Sequence, residues 1–118
     1  MKLLIANGCS HTAGTEIDPD NLKKCHDKAW PKFIADNYNM GYINIADPGA
    51  GNEQISRSTI LFLSELIERK GVNPSNIVVT ILWSGFDRYE YWSEQHKSIK
   101  SFALTTVFGY NPGETVKK

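Results

Sequence analysis

The polar and apolar positions follow two kinds of pattern, and their order along the chain predicts an α/β domain. Leu3 to Asn7 is a short apolar run that stops at Gly8, which predicts a first buried strand and its turn. Residues 8–26 carry glycines, threonines and Asp18-Pro19-Asp20 and read as a long loop, of the kind that often covers a site. From about Asp27 to Tyr38, the residues Trp30, Phe33, Ile34 and Tyr38 form one helical stripe. Pro31 falls in the first turn of that helix, where no intrahelical N–H is lost.

Gly41 ends this unit, Tyr42 to Ala46 predicts a second strand, and Asp47-Pro48-Gly49-Ala50-Gly51 a tight turn. Asn52 is placed to cap the next helix, with Glu53 suited to the positive end of its dipole. Ile55, Thr59, Phe62, Leu63, Leu66 and Ile67 then recur at helical spacing to about Lys70, and Gly71 with Asn73-Pro74 stops the run. Ile77 to Trp83 is a near-continuous β-branched stretch, which predicts a strand buried on both faces. A β-α-β-α-β order implies a parallel sheet with right-handed crossovers.

Beyond Trp83 the pattern weakens. Residues 87–101 are polar and aromatic and read as helical, Phe102 to Phe108 as a strand or short core segment, Asn111-Pro112-Gly113 as a turn, and the last five residues as a frayed end. Three strands make a thin sheet, so its completion by the C-terminal region, by a partner or by further sequence stays open.

Composition narrows the class. The 118 residues, 41% hydrophobic and 22% charged, suit one folded domain over residues 1–118. Thirteen basic side chains balance thirteen acidic ones, which argues against generic binding to nucleic acid or to an anionic membrane. A sequence pI near 6.8 leaves little self-repulsion, so a homo-oligomer is allowed. Cys9 and Cys25 make no disulfide framework and read as reduced thiols in a cytoplasmic protein. A zinc site from Cys9, His11, Cys25 and His26 matches no standard ligand spacing, and no metal or other cofactor is expected. The apolar start is too short for a signal peptide, and no run is long enough to span a membrane.

In an open parallel α/β sheet, ligands bind beyond the carboxyl ends of the strands. The loops that leave those ends hold Gly8 to Gly14, Pro48 to Asn52 and Ser84 to Arg88. The phosphate motifs fail there. Gly8 to Gly14 is one residue too long for a P-loop and has no lysine, and Gln54 stands where G-x-G-x-x-G needs its last glycine. The hydrolase elbow G-x-S-x-G fails at Thr12. A small nucleotide- or flavin-binding protein is therefore disfavoured.

Gly8-Cys9-Ser10-His11-Thr12-Ala13-Gly14, the block Asn44 to Asn52 and Trp30-Pro31, in that order, resemble the SGNH (GDSL-like) hydrolase superfamily in its prokaryotic and phage members. The resemblance covers residues 1 to about 90. It implies a three-layer, flavodoxin-like α/β sheet and hydrolysis of a small-molecule or carbohydrate ester, such as an acetyl group. Ser10 would be the nucleophile, and the N–H groups of Ser10 and Gly51 would form the oxyanion hole. Asn52, Ser84, Asp87 and Arg88 would line the substrate, with no cofactor.

The chain departs from the family in two places. Trp83-Ser84-Gly85-Phe86-Asp87-Arg88 stands at the block G-x-N-D, so Phe86 replaces the asparagine donor. Divergent members carry W-S-x-x-x-R-x-E there, which Trp83, Ser84, Arg88 and Glu90 match. The D-x-x-H block that supplies the general base is absent, and His96 is the remaining candidate base. His11 is set aside because neighbours on an extended segment point to opposite sides. His26, in a lysine-rich stretch, reads as solvated. Trp83, Tyr89, Tyr91 and Trp92 read as packing residues, and Asp87-Arg88 as an ion pair or a site edge. The expectation is that no histidine reaches Ser10 Oγ, so turnover is negligible or residual. A catalytically inactive binding or structural module, or a fragment, on the same scaffold is the alternative.

Overall fold

The computed structural model describes residues 1–103 apart from 16, 18–19 and 22–24. Its centre is strand β1 (Leu3–Asn7), with β2 (Gly41–Asn44) on one side and β3 (Ile77–Ile81) on the other, in the order β2-β1-β3. Both pairings are parallel, running from Leu3↔Gly41 to Ala6↔Asn44 and from Leu3↔Ile77 to Asn7↔Ile81. A central strand needs apolar side chains on both faces, and Leu4, Ile5 and Ala6 are buried accordingly.

Helix α1 (Ser10–Ala13) and helix α2 (Trp30–Asn37) lie between β1 and β2. Helix α3 (Asn52–Ser64), continued by a π-helical turn over Glu65–Arg69, lies between β2 and β3. Ile55, Thr59 and Leu66 form its buried line, as the periodicity predicts. A 3₁₀ turn (Pro74–Asn76) leads into β3, and the Asn73 side chain accepts from Ser75 N–H at its start. The fold is thus α/β with a parallel sheet, as expected from the sequence. No helix among the described residues is long and apolar enough to cross a membrane.

Several expectations need correction. Residues 87–101 are not helical: β4 (Arg88–Ser93) and β5 (Ser98–Ala103) form an antiparallel hairpin, from Arg88↔Ala103 to Ser93↔Ser98. Arg88-Tyr89-Glu90-Tyr91 alternates with period two, Trp92 follows, and the run is rich in strand formers, a preference that decides. Trp83, Tyr89, Tyr91 and Trp92 are exposed rather than packed inside. Strand β3 ends at Ile81 and is only half-buried, not covered on both faces; among the described residues it is the outer strand of the sheet.

In α2 the buried pair is Pro31 and Ala35, four residues apart, while Phe33 and Tyr38 face outward. Small side chains let that helix lie close to the sheet. The long loop after β1 contains the helical turn α1. Residues 104–118, with Phe108 and Asn111-Pro112-Gly113, lie outside the described residues.

Candidate functional site

The carboxyl end of β1 is held by a buried amide. Asn7 is 1% exposed. Its Nδ2 donates within the α3 cluster of Ile55 O, Ser58 Oγ and Thr59 Oγ1, at 3.1, 2.9 and 2.8 Å. Its Oδ1 accepts from Gly8 N–H at 2.8 Å. The chain then passes through a gap that admits only glycine. A Cβ on Gly8 would overlap Thr12 Oγ1 and come within 3.0 Å of Leu82 O. Gly8 O accepts from Asp47 N–H at 3.3 Å, and Asn7 O from Leu82 N–H at 3.1 Å. The loops after all three parallel strands therefore meet at one edge, as the strand order predicts.

Cys9 caps α1 and Ser10 is its first residue, so the Ser10 N–H has no intrahelical acceptor. The turn closes at Gly14, which takes a left-handed conformation (φ 73°) and donates its N–H to Ser10 O at 2.8 Å. A side chain at Gly14 would also press on Cys25 O. The other face of α1 is anchored through Thr12. Its carbonyl accepts from Asn44 Nδ2 at 2.8 Å and its hydroxyl from Trp30 Nε1 at 3.3 Å. Asn44 completes the frame: Nδ2 also donates to Tyr42 Oη at 2.9 Å, and Oδ1 accepts from Ala46 N–H at 2.9 Å. Asn7, Thr12 and Asn44 were not legible as site supports in the sequence. A polar residue at the end of an apolar strand is the signal that points to Asn7 and Asn44.

The Ser10 side chain is half-buried and lines a cavity of about 160 Å³ with His11, Gly14 and Ile17. Ser10 Oγ makes no hydrogen bond among the described residues, and none of the three histidines bonds to it. His11 sits on a helical turn, so the extended-strand argument that set it aside does not apply; it shares the cavity with Ser10. His96 occupies the turn between β4 and β5, exposed, its backbone N–H donating to Ser93 Oγ at 3.2 Å. His26 is not solvated at Nε2, which is buried without a partner among the described residues.

Gly51, not Asn52, is the N-cap of α3, and it is extended (φ −88°, ψ 171°) with no side-chain cap bond. Asn52 begins the helix, and its amide is engaged elsewhere. Oδ1 accepts from Ser84 N–H at 2.8 Å and Nδ2 donates to Ser84 O at 3.2 Å, so Asn52 clips the loop after β3. Gly51 packs under the hairpin, where an added Cβ would lie 3.1 Å from Arg88 O. The Asp87 carboxylate lies over Gly85, 2.7 Å from where a Cβ would stand.

Across this region an ion pair joins Arg57 to Glu90. Its two N–H···O bonds are 2.9 and 2.8 Å and tie α3 to β4. Hydrogen bonding to Glu90 raises the Arg57 guanidinium above its ordinary range. Phe86, at the tip of the loop, is 93% exposed.

A protein-family model matches residues 12–113. The chain belongs to DUF6071, a family of unknown function. The match takes in Gly51, Asn52, Ser84, Asp87, Arg88 and His96 of this DUF6071 domain and begins two residues after Ser10. No curated protein and no solved structure matches the chain.

Proposed function

We propose that the carboxyl edge is an acyl-ester site of the SGNH hydrolase type on a flavodoxin-like scaffold. The order β2-β1-β3 supports the scaffold, since flavodoxin-like sheets begin that way. The observation that carries the reading is Ser10. Its hydroxyl is unengaged among the described residues, opens on a small cavity, and heads the helical turn that follows the central strand. In the reaction, Ser10 Oγ attacks the acyl carbonyl, and its proton passes through water to the departing alcohol. A second water hydrolyses the acyl-serine to release the acid and restore the hydroxyl. The N–H groups of Ser10 and Gly51, neither with an intrahelical acceptor, hold the developing oxyanion. Asn52 and Ser84 shape the loop through their mutual bonds, and Asp87 and Arg88 form the rim. A short acyl group, such as an acetyl carried by a carbohydrate, suits a cavity of about 160 Å³.

A second reading, a non-catalytic ester-binding module, is favoured by one observation: Ser10 Oγ has no histidine bonded to it. A serine hydroxyl without a base is a weak nucleophile. Turnover of a short p-nitrophenyl ester is therefore expected to be residual, at most about 10³–10⁴-fold over the uncatalysed rate. Labelling with a fluorophosphonate probe and ester kinetics test both readings. Ser10→Ala should abolish labelling and rate while leaving the melting temperature unchanged, because the hydroxyl makes no hydrogen bond among the described residues. Labelling that survives Ser10→Ala rejects Ser10 as nucleophile. A wild-type protein with neither rate nor label, yet binding the ester, establishes the second reading. A full-speed enzyme whose rate falls in His11→Ala or His96→Ala overturns the missing-base argument and names the base.

A further inference from the structure

Glu53 and Arg57, four residues apart on α3 and both exposed, face the β4–β5 hairpin across an open cleft of about 300 Å³. Glu90, held by two bonds from Arg57, forms its floor. Glu90 and Trp92 are two residues apart on β4 and share its α3 face, and Ile99 is the β5 partner of Trp92. Trp92 is 54% exposed and Ile99 49%. The indole is nonetheless held in place. Its Nε1 donates to Glu94 Oε1 at 2.9 Å, and Lys97 Nζ donates to the same carboxylate at 2.6 Å. An exposed ring with a fixed orientation loses rotamer entropy and leaves its face unburied, which folding alone does not reward.

We propose that this cleft binds a neutral sugar ring. The lining selects the chemistry. Glu53 and Glu90 only accept hydrogen bonds, and Arg57 only donates them. A guanidinium carries five N–H donors, of which Glu90 takes two. An anion would meet the two carboxylates, and a cation would meet the guanidinium. A sugar hydroxyl both donates and accepts, so neighbouring hydroxyls engage Glu53 and Arg57 together. The C–H face of the same ring, slightly positive, lies on the negative face of the indole, with Ile99 beside it. A ligand that is polar at its rim and apolar on its faces matches this lining at every side chain.

The volume is at the lower end of the roughly 300–1,000 Å³ of small-molecule sites, which suits one ring with the rest of a glycan in solvent. The cleft shares no lining residue with the Ser10 cavity. The inference therefore does not rest on the ester reading.

Titration of the isotope-labelled full chain with maltotriose, cellotriose and N-acetylchitotriose, followed by NMR, tests it. At least one of the three should shift the Trp92 indole N–H and the amides of Glu53 and Arg57. Saturation should fall in the millimolar range, as expected of one stacked ring and a few exposed hydrogen bonds. Trp92→Ala and Glu53→Ala should each weaken binding about tenfold. Trp92→Phe keeps an aromatic face and should stay within about threefold of the wild type. Unchanged β1 amide shifts show that a variant is folded; should Trp92→Ala not fold, the other two decide. No shift of the Trp92 indole with any of the three sugars at tens of millimolar overturns the proposal. Folded Trp92→Ala or Glu53→Ala variants that bind as the wild type does also overturn it. So does choline or glucuronate saturating the same signals at lower concentration than the sugars, which would make the ligand a cation or an anion.

Discussion

At Tyr42 one hydroxyl serves two elements, donating to His26 O at 2.7 Å and accepting from Asn44 Nδ2 at 2.9 Å. Burial raises its ionisation above the ordinary tyrosine value of 10.0; the Asn44 bond works against this, and the Asp27 charge adds to it. The folded state therefore favours the neutral phenol, and the unfolded chain ionises first as pH rises. The stabilisation is complete below the ordinary value and is lost as pH climbs through the raised one. Tyr42→Phe should cost about 1 kcal/mol at neutral pH. It should also flatten part of the decline in stability on the alkaline side. Urea denaturation from neutral pH to about pH 11 measures both. An identical alkaline decline in the two proteins would remove Tyr42 from the account. The sequence hides this bond, since nothing in it brings residue 26 to residue 42.

Among the elements, the contact between β1 and α3 rests on one side chain more than its length suggests. Asn7 Nδ2 has two hydrogens and three acceptors within 3.1 Å, and Thr59 Oγ1 also donates to Ile55 O at 2.7 Å. Truncating one member of a buried network leaves the others desolvated and unpaired. Asn7→Ala is expected to cost about 2 kcal/mol in chemical denaturation. A double-mutant cycle with Thr59→Val should show coupling, whereas simple additivity would mean that the network contributes little. Helix α3 itself was readable, because its buried line follows a 3.6-residue period. The β4–β5 hairpin was not. Its alternation is carried by tyrosines and a tryptophan that stay exposed, so no apolar face marks it as a strand.

For the whole molecule, the parallel sheet and the hairpin meet across α3. A two-stranded hairpin alone is marginal in water. Here it is fastened to α3 by the Arg57–Glu90 pair and by its seat on Gly51. The Glu90 side chain is 7% exposed and that of Arg57 43%, so solvent discounts the pair. Its loss should nonetheless loosen β4, because Glu90 is the buried end of the pair. Native-state hydrogen exchange should show β1 amides opening only with global unfolding and β4 amides opening at lower free energy. Glu90→Gln should speed exchange in β4 by roughly 10-fold, a change of about 1.4 kcal/mol, and leave β1 unchanged. Equal acceleration in both strands would make the hairpin part of the same cooperative unit.

The chain determines by itself what local periodicity and steric rules can encode. The run at Leu3 to Asn7, the helical line from Ile55 to Leu66 and the glycines at 8 and 51 dictate strands, a helix and close backbone passages. Their order alone implies a parallel sheet with its loops gathered at one edge. Which polar groups meet was decided only in three dimensions. Asn52 turned from a helix cap into a clip for Ser84, Glu90 found Arg57 across 33 residues, and His11 came to share a cavity with Ser10. A backbone pattern depends on neighbours a few residues apart. A hydrogen bond depends on ångström distances between side chains that sequence order does not constrain, so those contacts wait for the packed chain.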